Sequence, residues 1–516
     1  MQHQHSRLGR LPGLRHAIPF AFALTVSGVV NAQLHPAVEQ NHEKAAFHIT
    51  QAELNELAAT DMALAFITAF DHGDEIFEFE FNALDGGGAN VGNGQRYTRT
   101  PRPDLRGAGE WATHTPARAT GPNGASCVSC HFAPVADGSG GPSSNVTRDP
   151  HGLGDLATMI HRNTPHIHGH GALQVLAEEM TAELQELRDE GIEEAAKEGK
   201  SVTVTLTTKG VNFGALRVRP DGTLITHRIQ GVDEDLIVRP YQWKGNFASA
   251  RQFNIDAAHQ ELGMQGQEVA GIDVDGDGDG IMNELTFGDS TALTIYLAAQ
   301  PRPTTFTELA SVGAIPPLAP ALGDQIAQGE AAFSAARCDS CHIPELILDN
   351  SIFSEPSQAA THRDAEFAGG VDPESVGVSP KTAITFDLAA DQPDNIFIVE
   401  GEEVHIGAFP RVGKTGASIG LFGDLKRHEM GPRLAEGVDE TGHGRSVWLT
   451  KELWGVGTSG PYLHDGRATT LTEAIDFHGG EAQVSRDLFF ALSPADQAAV
   501  IAFLNNMTIF LPAEEE

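Results

Sequence analysis

Cysteine is scarce in this chain: its 516 residues contain four. All four lie in two copies of Cys-x-x-Cys-His, which read SCVSCHFAP at 126–134 and RCDSCHIPE at 337–345. No spare cysteine exists outside these motifs. Whatever chemistry the cysteines perform must therefore be found in the two motifs and in the histidine that follows each pair.

Positive charge is also scarce. Lys and Arg number 34 against 70 Asp and Glu, which gives a formal net charge of −36 at pH 7. An acidic surface of this size repels nucleic acid and anionic lipid, and it attracts basic proteins. We therefore expect no nucleic-acid partner and a basic protein partner.

Long apolar runs are confined to the amino terminus. Three arginines precede an apolar run from Ala17 to Val30, and a small-x-Ala sequence ends at Ala32. The run is too short to span a bilayer and has the flanks of a secretory signal. We predict a Sec signal peptide at residues 1–32 that is cleaved after Ala32. The mature protein would be periplasmic or secreted, without a membrane span.

Cys-x-x-Cys-His is the attachment signature of c-type haem. The two thiols add across the haem vinyl groups, and the histidine is placed on the iron as the proximal ligand. A redox dithiol has no use for the histidine, a four-cysteine zinc site leaves both histidines unexplained, and a disulfide across two residues is strained. We predict two covalently bound haems c, held by Cys127, Cys130, His131, Cys338, Cys341 and His342.

The rest of the chain predicts a mainly α protein with two cytochrome c-like haem domains, a small β-hairpin insertion and long loops. The domains would span residues 33–300 and 301–516. Within the first domain, an amphipathic pattern at 172–200 predicts a long helix. Alternating apolar residues around Asp221-Gly222 predict the β-hairpin. The helix and the β-hairpin together form an insertion at about 172–230. In the second, a helix leads into the haem motif, and Ser493 caps a final helix.

An acidic loop at 273–284 resembles a calcium-binding sequence. Asp273, Asp275, Asp277 and Glu284 fit D-x-D-x-D-G-x5-E, in which clustered carboxylates supply the oxygen ligands that Ca²⁺ prefers. A second register that begins at Asp275 fits almost as well. The alternative is a solvated acidic turn. We predict a calcium site here, with that alternative left open.

Four further segments resemble a known family: LWGVGTSGPYLHDGRATTLTEAIDFHGGEA at 453–482, HRNTP at 161–165, WKGNFASARQF from Trp243, and FGDLKRHEMGPRLAEG at 422–437. They are similar to the di-haem oxidoreductase ("putative peroxidase") family, within the bacterial di-haem cytochrome c peroxidase superfamily. The resemblance covers about residues 85–508. It implies an enzyme with two haem domains that handles peroxide.

The resemblance also implies roles for residues of the second haem. The family's sixth iron ligand lies fourteen residues beyond the His of His-Asp-Gly, which gives His478 from His464. A helix that begins near Thr470 places His478 on its apolar face, where a histidine is otherwise a hydrogen-bonded core residue. Met430 is the competing ligand.

Two residues are implied for catalysis. Trp243 matches the tryptophan that lies between the two haems in the family, and the alternative is a packed core indole. Glu261 aligns loosely with the family's distal acid, which relays a proton between the peroxide oxygens. At the first haem, His151 most resembles the displaceable distal iron ligand, and His166 is the second choice.

These features predict a periplasmic di-haem c-type oxidoreductase of peroxidase type. Hydrogen peroxide or another small oxidant would be reduced with electrons from a small cytochrome or cupredoxin, or a partner protein would be oxidised. One alternative is a haem oxygenase related to polyisoprene-cleaving enzymes. Another is a non-catalytic electron-transfer cytochrome, in which both irons would be low-spin and six-coordinate.

Overall fold

Capping side chains set the starts of several helices. In the computed structural model, Thr50 caps the first described helix, and Ser493 accepts a hydrogen bond from the Asp496 amide at the start of the last. Asp61 caps a second helix by accepting from two amides of its first turn. Because Asp61 itself is extended, residues 51–78 form two helices instead of one. The N-cap predicted at Ser493 is confirmed.

The structure describes residues 48–82, 84–88, 123–148, 150, 156–278, 280–399 and 401–510. The predicted signal peptide and His151 lie outside these residues. All described residues belong to one compact unit that spans residues 46–516. The division into haem domains at residue 300 stays a prediction.

The α-helices of the described residues are α1 (Gln51–Thr60), α2 (Met62–Glu78), α3 (His170–Glu198), α4 (Ala250–Ala257), α5 (Gln267–Ala270), α6 (Phe287–Ala299), α7 (Phe306–Ser311), α8 (Pro320–Ala335), α9 (Leu471–Phe477), α10 (Gln483–Ala491) and α11 (Pro494–Asn506). A π-helical turn, Ala258–Leu262, extends α4, and a 3₁₀ turn covers Cys338–Ser340. None of the described helices is long and apolar enough to cross a bilayer.

The strands of the described residues are β1 (Val146–Arg148), β2 (Ile160–Arg162), β3 (Val202–Thr208), β4 (Val211–Val218), β5 (Leu224–Ile225), β6 (Thr304–Thr305), β7 (Leu346–Leu348), β8 (Ile352–Glu355), β9 (Ile384–Asp387), β10 (Ile396–Val399), β11 (Glu402–His405), β12 (Arg411–Val412), β13 (Gly416–Ile419), β14 (Arg427–Glu429), β15 (Val447–Leu449) and β16 (Met507–Thr508). They pair in antiparallel sheets of two or three strands.

The predicted helix and β insertion are both present. Helix α3 buries Leu173, Leu176, Met180 and Leu184 along one face, as the amphipathic pattern predicts. It is followed by the sheet β3-β4-β5, in which the turn at Asp221-Gly222 connects β4 to β5. The mainly α class agrees with a helix content above the strand content, but residues 346–449 add further short strands that the sequence did not predict.

The core lies between helices, and it positions both haem motifs. Helices α2, α3 and α6 contribute to one large apolar cluster, against which Cys127 packs. A smaller cluster between α8 and α11 contacts Cys338. Gly329 allows these two helices to approach closely, because an added Cβ would overlap the carbonyl group of Ala499. Helix α8 therefore ends at a fixed position just before the second motif.

Candidate functional site

The two Cys-x-x-Cys-His motifs fold in the same way. In each, the histidine amide donates to the carbonyl of the first cysteine, at 3.0 Å in both motifs. Each turn forms part of the wall of a separate cavity. The first cavity is lined by Cys127, Cys130 and His131, and the second cavity by Cys338, Cys341 and His342.

The state of the thiols argues against the alternatives to haem. None of the four cysteines is in a disulfide. Burial raises the pKa of Cys127 and of Cys338 to about 12, whereas a redox-active thiol needs a lowered pKa. Because the two pairs line different cavities, they do not combine into a four-cysteine zinc site. The neutral thiols of Cys127 and Cys338, each in a motif with a neutral histidine, suit thioether attachment, which itself stays a prediction.

Two imidazoles lie close to each other in the second cavity. The ring centroids of His342 and His478 are 6.5 Å apart, and the ring planes are tilted by 49°. His342 donates from Nδ1 to the carbonyl of Phe422 (3.0 Å), and His478 donates from Nδ1 to that of Ala474 (2.8 Å), so Nε2 is the nitrogen of each ring that could bind a metal. Two metal–nitrogen bonds of about 2 Å each, added to the two ring radii, account for a separation of this size.

The protonation of these rings also suits a metal. Burial lowers the pKa of His342 to about 4, and burial lowers the pKa of His478 as well, so both are neutral near pH 7. Neutral imidazole is the form that binds iron. Helix α9, capped by Thr470, carries His478 at its C-cap. Met430 also lines the second cavity, but the closeness of the two rings favours His478 over it as the sixth ligand.

The wall of the second cavity contains a stacked cluster. Trp448 lies against His464 with a centroid separation of 3.8 Å and an interplanar angle of 18°. The ammonium of Lys244, a fully buried side chain, lies 4.0 Å from the Trp448 ring centroid and donates to the carbonyls of Gly444 and Val447. The sequence placed His464 in a family motif but gave no signal for its partners.

His428 also lines the second cavity. The sequence analysis did not single it out, although it lies in the family-like segment at 422–437. Its Nε2 contacts Asp424 and its Nδ1 contacts Glu481, both at 2.8 Å. Burial opposes its charge, but Asp424 and the Cys341 sulfur raise the pKa of His428 to about 10. The Cys341 sulfur, a carboxylate oxygen of Asp424 and a ring nitrogen of His428 lie within 4.8 Å of one another. Since Cys341 is a predicted attachment cysteine, this group belongs to the second haem site.

In the first cavity, the structure brings one predicted iron ligand into place. The Nδ1 of His131 lies 3.3 Å from the carbonyl of Gly138, and burial lowers the pKa of His131 to about 4. His166 instead lines the second cavity and contacts the Trp454 carbonyl at 2.9 Å. His170 lines the first cavity and is buried. The sixth ligand predicted at His151 stays a prediction.

The polar side chains that line the first cavity include Arg148, Gln242 and Glu261. An Oε atom of Glu261 accepts a hydrogen bond from Asn123 at 2.7 Å. Gln242 has a left-handed backbone (φ 64°), a conformation that is costly outside glycine and is often found at functional sites. Glu261 thus lines the first cavity, together with His131. Arg148 was missed, because nothing in its local sequence distinguishes it.

The two cavities share a wall. Asn163, Thr164, Pro165, Trp243 and Lys451 line both of them. The indole of Trp243 donates to the carbonyl of Asn163 at 2.9 Å, which joins the HRNTP and WKGN segments. Trp243 therefore lies between the cavities, where the resemblance placed it, and its role in electron transfer stays a prediction.

The residues of both cavities fit haem. Each cavity has mainly apolar walls, a pair of thiols and a neutral imidazole. Among the described residues, three that line these cavities carry a buried polar atom without a hydrogen-bond partner there: Nε of Arg148, Oδ1 of Asn163 and Nδ1 of His166. Buried polar atoms are nearly always paired, so orphans around a cavity indicate a bound group with polar edges.

The acidic loop shows no converging carboxylates in the part that the structure describes. Asp275 accepts from the amides of Gly278 and Gly280, and Asp273 is paired with Asn283. Glu284 is buried and accepts from a backbone amide. Asp279 lies outside the described residues, and the calcium site at Asp273, Asp275, Asp277 and Glu284 stays a prediction.

Comparison with known proteins gives one family. The family model described as "Di-haem oxidoreductase, putative peroxidase" matches residues 394–507. No curated protein matches the chain. A solved structure of a MauG-like protein associated with microbial copper homeostasis is 13% identical, covers 57% of this chain and 79% of its own, and has a TM-score of 0.27, a likeness too distant to carry an argument. The matched segment, residues 394–507, includes Met430, His464 and His478 and is similar to the family of di-haem oxidoreductases described as putative peroxidases.

Proposed function

We propose that this protein is a periplasmic di-haem c-type oxidoreductase that reduces peroxide. The observation that carries the proposal is the pair of unequal cavities. The second cavity has two neighbouring neutral imidazoles, His342 and His478, which suit an iron that only exchanges electrons. The first has His131 together with polar side chains, which suit an iron that meets a polar substrate.

The chain's own residues would divide the work as follows. Cys127 and Cys130 hold one haem, and the second pair of cysteines holds the other. A haem in each cavity, when bound, supplies iron that stores electrons and, at an open position, can accept peroxide. The shared wall keeps the two groups close, and the ring of Trp243 between them offers a path for electrons.

Glu261 is the proton-handling residue of the proposal. Reduction of hydrogen peroxide to two waters consumes two electrons and two protons, and one oxygen must gain the proton that the other loses. A carboxylate in the first cavity can take that proton and return it to the departing oxygen, which is general acid–base catalysis. The hydrogen bond from Asn123 to one Glu261 oxygen holds the carboxylate in place in this cavity.

The electrons would come from a small cytochrome or cupredoxin. The excess of 70 acidic over 34 basic residues favours a basic donor, because complementary charge accelerates encounter. A calcium ion in the acidic loop at 273–284 is part of the proposal, and so is export to the periplasm by the segment at 1–32.

The test is the response of the purified di-haem protein to peroxide. We expect micromolar hydrogen peroxide to change the absorption of the first haem, either at once or after one-electron reduction of the second, and to oxidise an added small donor catalytically. Spectra that do not respond in either redox state would contradict the proposal. If they are also purely low-spin, the electron-transfer alternative is favoured; dioxygen consumption with an unsaturated hydrocarbon would favour the oxygenase.

A further inference from the structure

Arg148 is held in an unusual way at the wall of the first cavity. It ends strand β1, its side chain is 10% exposed, and its terminal nitrogens lie 3.2 Å from Gln242 Oε1 and 3.4 Å from carboxylate oxygens of Asp256 and of Glu440. All three contacts are long for bonds to a guanidinium, which usually lie near 2.7–2.9 Å. Arg148 is therefore fixed in position without being tightly paired.

The acids around Arg148 are shared with other donors. Asp256 also accepts from the Gln242 amide at 2.9 Å, and Glu440 accepts from Arg162 at 2.7 Å. Burial opposes the charge on Arg148, but Asp256 and Glu440 raise its pKa, so it remains a cation. The guanidinium thus keeps capacity to bind one more acceptor.

The donor of Arg148 that lacks an acceptor is its Nε–H group. It is buried and has no hydrogen-bond partner among the described residues. The side chain to which it belongs lines the first cavity. A buried charged donor without an acceptor is costly, so the arrangement indicates a ligand group that is bound when the protein works.

We infer that Arg148 is an oxyanion subsite of the first cavity. Guanidinium prefers oxygen anions, and two sources can supply one here: a propionate carboxylate of the haem in this cavity, or a small anion that enters the cavity from solvent. The inference rests on the proposed function only in that a haem occupies the first cavity. It needs no peroxide chemistry.

The test compares Arg148→Lys with Arg251→Lys in the di-haem protein. Lysine keeps the charge but lacks Nε and the planar fork. Arg251 is a matched control, since it is buried, its nitrogens are bonded to Glu268 and Glu355, and it lines neither cavity. Haem content, melting temperature, fluoride affinity and the midpoint potential of the first haem are measured, the affinity in both oxidised and half-reduced protein.

Two outcomes support the subsite and separate its sources. An anion from solvent predicts fluoride binding at least tenfold weaker in Arg148→Lys, with the potential unchanged. A propionate predicts a lower potential, because the carboxylate loses a donor, with fluoride binding unchanged. If neither quantity changes in a variant that carries two haems, or if Arg251→Lys changes them equally, the inference is overturned.

A second variant covers the case in which Arg148→Lys does not load haem. Asp256→Asn removes an acid that competes for the guanidinium, so it should strengthen fluoride binding or raise the potential, which is the opposite sign. An unchanged or weakened response would contradict the subsite. Neither fluoride affinity nor midpoint potential depends on turnover. A protein that does not react with peroxide but shows these responses would therefore contradict the proposed function and still support the subsite.

Discussion

In the second cavity the rings of His342 and His478 lie with their centroids 6.5 Å apart, whereas the first cavity has His131 and His170 in its wall together with Arg148, Gln242 and Glu261. Both cavities begin with the same motif and the same turn. The difference lies in what the remaining chain adds opposite that motif. A short capped helix supplies His478 to the second cavity, and a strand end with a strained loop supplies polar groups to the first.

Under the proposed function, this difference would give the two haem sites unequal tasks. Iron with two nitrogen ligands from the protein has no position for a substrate, so its use is to hold and pass electrons. Polar side chains are expensive to keep in an apolar cavity, and their presence indicates substrate or proton chemistry. The following substitutions would break or sharpen the comparison.

The largest effect is expected from removing the attachment residues. Cys127→Ala with Cys130→Ala, and separately Cys338→Ala with Cys341→Ala, should each leave a protein with one covalent haem. Mass spectrometry of the denatured protein measures this directly, and the wild type should exceed the signal-cleaved polypeptide by two haems. A wild type that matches the bare polypeptide, in a host competent for attachment, would remove the basis of the comparison.

Glu261→Gln should affect the first cavity alone. Loss of a general acid–base group costs typically about 10²–10⁴-fold, and we expect kcat/KM for peroxide to fall within that range. Glu186→Gln, on the exposed face of α3, is the matched control and should have no effect. A Glu261→Gln enzyme with wild-type turnover would mean that the proton is handled elsewhere.

His478→Met should change the second cavity alone. Thioether ligation favours ferrous iron, so the potential of the second haem should rise, within the range of about 0.8 V that axial ligands cover. Its low-spin spectrum should change from bis-histidine to histidine–methionine type. Met430→Leu is the comparison: if it moves the spectrum and His478→Met does not, Met430 is the ligand.

Trp243→Phe should slow electron exchange between the cavities without altering either spectrum. A smaller ring in the shared wall weakens the path between the two haems. Re-equilibration after rapid partial reduction measures the rate, with Trp454→Phe, which lines only the second of the two cavities, as the control. Equal rates in wild type and Trp243→Phe would leave this indole a packing residue.

The smallest effect concerns the acidic loop, outside both cavities. A chelator should lower the Tm of the wild type by a few degrees, since about 1 kcal/mol of binding energy shifts Tm by roughly 2–4 °C in a domain of 150–250 residues. Asp275→Asn with Asp277→Asn should abolish this response, because both residues belong to either register. A chelator response that survives in the double variant would place the ion elsewhere.

Local signals in the sequence predicted much of the site. The two haem motifs are contiguous, and the helix that carries His478 has its cap and apolar face within ten residues, so neither depends on distant packing. Helix α3 was predictable for the same reason. The resemblance further located Trp243 and Glu261 at the cavities.

What the sequence did not predict is assembled over long separations. Arg148 meets Gln242 across 94 positions, and Arg162 meets Glu436 across 274. Such pairs follow from how the helices and strands pack, and no hydrophobic periodicity in the sequence indicates them. The strands at 346–449 escaped because most have two to four residues, too short for an alternating pattern to be recognised.

The wall shared by the two cavities has a thermodynamic consequence. Asn163, Trp243 and Lys451 border both cavities, so with a haem in each cavity they would sense the charge of both. A response of this wall to the reduction of one haem would then alter the electron affinity of the other. By linkage such a coupling is reciprocal: whatever reduction of the first haem does to the electron affinity of the second, reduction of the second does equally to that of the first.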